Sequence, residues 1–190
     1  MSLEIVLASS SPRRRALLKG LGITFDVMSA DIDESVLENE TAEALVARLS
    51  LAKARAIQAQ KPNALVIAAD TVVVLQTDIL GKPRDANENR YFLERLSAQP
   101  HTVFTGHALL FKDKKELNVK QTKVYFRDLT KEEMDWYVAT REGLDKAGGY
   151  GIQGKGAALV PYIEGCYFNV MGLSVAAVLD SAKKLGVNLV

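Results

Sequence analysis

The chain alternates short apolar runs with helical periodicity. Glu4 to Ala8 is an apolar run suited to a buried strand. Ser11-Pro12 opens a helix, with the serine as N-cap and the proline at the first helical position. Leu17, Leu18 and Leu21 lay an apolar stripe along it, and Gly20 or Gly22 can end it. Thr24 to Met28 predicts a second strand, followed by a loop bearing Asp31, Asp33 and Glu34. From Thr41 to Gln60 the period becomes helical, with Leu45, Leu49, Ala52 and Ala56 in step, Thr41 as cap and Pro62 just beyond. Ala64 to Leu75 is a long apolar run interrupted by Asp70-Thr71, which reads as a buried strand.

Gly81-Lys82-Pro83 then breaks the chain, and Asp85 caps a helix to about Leu96. His101 to Phe111 and Asn118 to Phe126 alternate as two strands across the charged turn Lys112 to Glu116. Thr130 and Glu133 form a capping-box pair at the next helix. A glycine-rich segment, Gly148 to Gly156, leads into a strand-like stretch at Ala157 to Ile163, and a last helix runs from about Leu173 to Leu185. Strands and helices mix without strict alternation, so the pattern predicts an α/β or α+β domain with a mixed sheet. Neither a repeat nor a linker stands out. The expectation is one domain spanning residues 1–190, with two lobes around a cleft.

Composition narrows the class. Hydrophobic residues make up 48% of the 190, enough for a sizeable core. A formal charge of +1 argues against binding nucleic-acid polymers, where a basic excess is expected. Cys166 is the single cysteine, so neither an internal disulfide nor a thiolate cluster can form, and a reducing compartment fits. The start, Met-Ser-Leu-Glu-Ile-Val-Leu, lacks a basic region ahead of an apolar one, and no apolar run has membrane-spanning length. A cytoplasmic protein is expected.

Chemistry gathers at a few places. "LASSSPRRRALLKGLG", Leu7 to Gly22, puts three serines and three arginines at a helix N-terminus that is already positive. Ser9, Ser10 and Ser11 supply hydroxyls, and Arg13 and Arg14 supply guanidinium forks suited to phosphate. The alternative is a solvated basic turn. The segment lacks the Walker pattern. Asp70 sits in a run too apolar for a loop, so its carboxylate must pair with a cation, bind a metal or line a site. Lys82 lies between Gly81 and Pro83, a loop stiff at one end, and Lys53 lies among alanines on the long helix. Glu34, with Asp31 and Asp33, has the oxygen ligands a hard cation prefers.

Gly149, Gly151 and Gly154 match the spacing of a dinucleotide fingerprint. They come late in the chain and run into a strand-like stretch, so that reading fails its context test. What remains is a turned loop whose Gln153 offers a donor and an acceptor, as a nucleobase edge requires. His101 and His107 have no ligand partners at metal spacing and read as structural or surface residues. Together these groups are the inventory of a nucleoside triphosphate site, with a divalent metal and fixed cations neutralising phosphate charge.

"LASSSPRRRALL", "AADTVV", "LGKP" and "DKAGGYGIQG" occur in an order that resembles the Maf family of nucleoside triphosphate pyrophosphatases, from Ile5 to about Leu185. The resemblance implies an α/β fold with a mixed twisted sheet flanked by helices and a cleft. It also implies metal-dependent hydrolysis of a nucleotide to its monophosphate and pyrophosphate. Asp70 looks like the catalytic acidic residue that accepts a proton from the attacking water and, with Glu34, takes the metal (Mg²⁺, Mn²⁺ or Co²⁺). Ser9, Arg13 and Arg14 match the phosphate-side residues, and Glu34, Lys53 and Lys82 match the other charged catalytic positions. Arg13, Thr71 and Gln153 match the set that marks the branch acting on dTTP and UTP, with modified pyrimidine nucleotides as further substrates. A 7-methyl-GTP or other non-canonical nucleotide pyrophosphatase is the competing enzyme. A non-catalytic nucleotide sensor regulating cell division is the competing class. Ala68 departs from a common glycine and is expected to tighten strand packing. The likeness is compatible with a homodimer, and family members are discussed in septum formation and in clearing modified nucleotides.

Overall fold

The computed structural model describes residues 3–190; Met1 and Ser2, part of the expected 1–190 domain and of the N-terminal reading, lie outside the described residues. The strands are β1 (Ile5–Ala8), β2 (Asp26–Met28), β3 (Leu65–Leu75), β4 (Asp78–Leu80), β5 (Pro100–Phe111), β6 (Lys114–Tyr125) and β7 (Tyr162–Glu164). The helices are α1 (Pro12–Gly20), α2 (Ala42–Gln58), α3 (Ala86–Leu96), α4 (Lys131–Ala139), α5 (Tyr167–Val170) and α6 (Val175–Lys184). The seven strands form one mixed sheet in the order β2-β1-β3-β5-β6-β7, with β4 paired to β3. β1 runs parallel to both β2 and β3, whereas β4 is antiparallel to β3 and β7 to β6. This is the α/β class expected from the sequence.

The chain divides into two compact units. The first comprises residues up to Asp70, Thr105–Lys120 and Gly172–Val190; the second comprises Thr71–Phe104 and Gln121–Met171. β3, β5 and β6 each give residues to both. In the first unit, Leu7, Ile67 and Leu109 pack with Leu18 of α1 and Val178 of α6. Ala68 is fully buried in a separate cluster with Val6, Ala8, Ala54 and Ala108. The backbone of α2 comes so close to β5 that a Cβ on Gly106 would stand 2.2 Å from the Val46 carbonyl oxygen. The second unit has its own core, in which Val73, Phe92, Leu96, Val124 and Tyr137 take part.

Helix starts follow the cap chemistry. The side chains of Ser11, Thr41 and Asp85 each accept a backbone N–H from the first turn of their helix. Thr130 and Glu133 complete the reciprocal capping box. The stripe on α1 is narrower than expected, for Leu18 is buried but Leu21 is exposed. Other differences lie at turns. The link between β5 and β6 is only Lys112-Asp113, so β6 begins at Lys114 rather than Asn118. β4 and α5 are short elements beyond the periodic pattern. The expected strand at Ala157 to Ile163 is a 3₁₀ turn at Gly154–Ala158 followed by β7. Glycines at 154 and 156 let that backbone coil before Pro161 releases it into a strand.

Candidate active site

β1, β2 and the first half of β3 run parallel, and parts of the candidate site follow β1 and β2 and lie midway along β3. Parallel pairing sets Leu7 opposite Ile67 and Ala8 opposite Met28. Beyond β1 come Ser9 and α1; beyond β2 comes the loop carrying Glu34; in β3, Asp70 lies three residues past Ile67. The carboxyl ends of parallel strands are where open α/β sheets bind ligands.

Asp70 is only 7% exposed. Its Oδ1 accepts a hydrogen bond from Lys53 Nζ at 2.6 Å. The same ammonium lies 2.7 Å from Glu34 Oε1. Lys53 thus bridges two carboxylates, one at 11% and the other at 52% side-chain exposure. The helix places this cation inward, which its sequence neighbours alone did not reveal: α2 buries Leu49, Ser50 and Ala54 around it. A second set of bonds fixes the loop of Glu34. Arg48 grips Glu40 through Nε at 2.6 Å and Nη2 at 2.7 Å, and donates from Nη2 to the Ser35 carbonyl at 2.9 Å. The Ser35 hydroxyl and N–H both donate to Asp33, holding its carboxyl below the usual range.

The opening serine and arginine cluster is built differently from a simple open cradle. Ser9 is buried, and its hydroxyl oxygen accepts the Ser11 N–H at 3.2 Å. Arg14 Nη1 donates to that same oxygen at 3.2 Å and to the Ala69 carbonyl at 2.7 Å; Nε donates to the Gly172 carbonyl at 2.7 Å. The guanidinium is therefore turned onto protein acceptors through both Nε and Nη1. Burial lowers the Arg14 pKa against the opposing pull of Asp70 and Glu34. Arg14 ties the Ser9 loop to the backbone beside Asp70. Arg13 is half-buried one position earlier on the same first turn.

The remaining expected site residues belong to the second unit. Thr71 is half-buried in β3, Lys82 is exposed between β4 and α3, and Gln153 is exposed at the start of the 3₁₀ turn. The structure thus brings Ser9 together with Arg14, and Glu34 and Asp70 together through Lys53. Two residues outside the sequence motifs hold the glycine-rich segment. Asn89, fully buried, donates from Nδ2 to the Gly149 carbonyl at 2.6 Å. Glu142 accepts backbone N–H groups from Lys155 and Gly156. Neither carried a local signal, since each partner lies at least 13 residues along the chain.

Asp70 and Glu34 offer hard oxygen donors, which suit a magnesium-like cation that takes one or two carboxylates and completes its shell with water and phosphate. Among the described residues no group of three or more His, Cys, Asp or Glu side chains gathers as a metal cluster. Asp70 and Glu34, joined through Lys53, are the oxygen donors that the site offers such a cation. His101 and His107 take no part. Both are buried, with pKa values pushed down to about 4 chiefly by desolvation. His101 Nε2 lies 2.6 Å from the Tyr150 hydroxyl, and His107 Nε2 accepts the Ser174 N–H at 2.8 Å. Among the described residues no helix is long and apolar enough to cross a membrane.

Comparison with known proteins agrees with the motifs. The family model described as Maf-like protein matches residues 4–185. A dTTP/UTP pyrophosphatase of Geobacillus sp. is 46% identical over 96% of this chain and 98% of its own length. That of Pelotomaculum thermopropionicum is 47% identical over 98% of each chain. A third relative with that name, from Myxococcus xanthus, is 48% identical over 97% of this chain and 94% of its own. The motifs from the serine–arginine segment to the glycine-rich turn fall within the matched span, and the chain belongs to the Maf family.

Proposed function

We propose that this protein is a pyrophosphatase that hydrolyses dTTP and UTP to the nucleoside monophosphate and pyrophosphate. The relatives' shared name supports the reaction and the nucleotides. The observation that carries the reading is the buried Asp70 carboxylate held by Lys53 at 2.6 Å, beside a loop clamped by Arg14. One oxygen of Asp70 is occupied by the ammonium. We assign the other, Oδ2, to the attacking water.

In this reading water adds across the α–β phosphate bridge. Its proton goes to Asp70, the bridging P–O bond breaks, and pyrophosphate leaves. Lys53 holds Asp70 oriented for that proton, and its charge offsets the negative charge growing on phosphate oxygens. Arg13 and the hydroxyl of Ser9 face the polyphosphate, while Arg14 acts by holding the Ser9 loop. Lys82 supplies a further cation for the departing pyrophosphate. Asp70 and Glu34 are the residues that would hold a divalent cation, which when bound screens the polyphosphate and acidifies a coordinated water. Thr71 and Gln153 select the base. The amide of Gln153 donates to O4 and accepts from N3–H of uracil or thymine. A single cysteine fits a reducing compartment such as the cytoplasm.

The test is pyrophosphate release across a nucleotide panel with Mg²⁺, Mn²⁺ or Co²⁺, and with EDTA. Release strongest for dTTP and UTP, lost in EDTA, is the expected result. Gln153→Glu deletes the donor to O4 and should erase the preference for these two nucleotides. Release strongest for a purine nucleotide would overturn the assignment. Binding of dTTP with no turnover under any metal would replace the enzyme with a sensor.

A further inference from the structure

The part of the glycine-rich segment that follows Gln153 is held by one carboxylate. Glu142 lies in the turn that follows α4. Its Oε2 accepts the Lys155 N–H at 3.0 Å, and its Oε1 accepts the Gly156 N–H at 3.1 Å. Oε1 also accepts the Tyr137 hydroxyl at 3.3 Å, and that phenolic oxygen accepts the Gly151 N–H at 3.1 Å. Backbone donors on both sides of Gln153 therefore end on the Glu142 carboxylate, directly or through one phenol. Tyr137 is fully buried in the core of its unit, so this anchor is fixed.

The chain also runs hard against the carboxylate. At Gly154, where φ is +61°, an added Cβ would stand 2.7 Å from Oε2. The first N–H groups of a 3₁₀ turn have no partner inside the turn. Glu142 meets that need with an ionised acceptor, which makes stronger hydrogen bonds than a neutral one. The side chain of Gln153 caps nothing and is exposed. The backbone is thus held in place while the amide is left to act outward.

We propose that Glu142 is a positioning residue for base selection, holding the backbone of residues 151–156 so that the Gln153 amide meets the polar edge of the pyrimidine in one place. This rests on the reading of Gln153 as the residue that contacts the base. Glu142→Gln replaces one of the two acceptor oxygens with an NH₂ group facing a backbone N–H. Glu142→Asp keeps both oxygens and withdraws them by one methylene.

The experiment measures kcat and KM for dTTP and dCTP with the wild type, Gln153→Ala, Glu142→Gln and the double variant, each checked for folding by circular dichroism. Glu142→Gln should lower the dTTP-to-dCTP ratio of kcat/KM by about 3- to 10-fold, the scale of one hydrogen bond. The loss should appear in KM for dTTP, with kcat within about twofold of wild type. Added to Gln153→Ala it should cost little more selectivity, because both act through the same amide. If Gln153→Ala collapses the ratio while folded Glu142→Gln leaves it intact, Glu142 has no positioning role. If Gln153→Ala itself leaves the ratio intact, the base reading falls, and this role with it. Should Glu142→Gln fail to fold, Glu142→Asp carries the test. Faster amide exchange at Lys155 and Gly156 with a reduced ratio supports the role, whereas an unchanged ratio refutes it.

Discussion

Replacing Lys53 by methionine removes the ammonium that Asp70 and Glu34 share while keeping most of the side chain's volume. Asp70 then remains as a carboxylate at 11% exposure that has lost a 2.6 Å partner. Stranding one member of a buried ion pair costs about 3–5 kcal/mol. Arg14, clamped to the carbonyl of the preceding Ala69, still lends positive charge nearby, so the lower end, about 3 kcal/mol, is expected. Glu34 is half-exposed and its side of the bridge adds under about 1 kcal/mol. For a chain of this size that corresponds to a fall in Tm of roughly 6–12 °C. Asp70→Asn removes the charge that would be stranded. The double variant Lys53→Met/Asp70→Asn should therefore be more stable than the sum of the single losses predicts, by about 2 kcal/mol. Urea unfolding of the four proteins at pH 7.5, followed by circular dichroism, gives all the terms. Strictly additive losses, or a Lys53→Met loss below about 0.5 kcal/mol, would show that the pair is not a buried, coupled unit.

The buried histidines predict how stability depends on pH. Their folded pKa values of about 4 lie below the ordinary 6.5, so between these values the unfolded chain binds more protons. The stabilisation is fully present above about pH 6.5 and is lost as pH falls toward 4, by about 3 kcal/mol for each histidine. Urea midpoints at pH 7.5 and 4.5 check this, and His107→Gln, which keeps an acceptor for the Ser174 N–H, should remove about half of the slope. A slope unchanged in that variant would exclude His107 as its source. Gly106→Ala forces a Cβ to 2.2 Å from the Val46 carbonyl and should cost about 1–3 kcal/mol or more, read by thermal unfolding. An unchanged melting temperature would mean that α2 and β5 do not approach so closely.

Elements with local chemistry were legible in the sequence. The caps at Ser11, Thr41, Asp85 and Thr130 each stand beside the helix that they start. The apolar run around Asp70 marked that carboxylate as special because burying a charge is costly. The partners of the site were less legible. Lys53 looked like one more lysine on a helix face, and its bond to Asp70 spans 17 residues. Arg14 had the look of a phosphate fork, yet its donors reach carbonyls 55 and 158 residues away. The turn at Gln76-Thr77 has no glycine or asparagine to mark it, since Gln76 itself takes positive φ, and the turn expected over Lys112 to Glu116 closes within Lys112-Asp113 because Lys112 does the same. Glu142 and Asn89 answer backbone groups that exist only once the glycine-rich chain has folded.

The central claim is that Asp70 takes the proton of a water that splits the triphosphate. It is tested most directly by single-turnover pyrophosphate release from dTTP, comparing the wild type with Asp70→Asn at saturating divalent metal, with dTTP binding measured in parallel. The account predicts a folded variant that still binds dTTP but releases pyrophosphate roughly 10²–10⁴-fold more slowly, the usual scale for losing a general base. Wild-type turnover by Asp70→Asn would contradict it and remove this carboxylate from the chemistry.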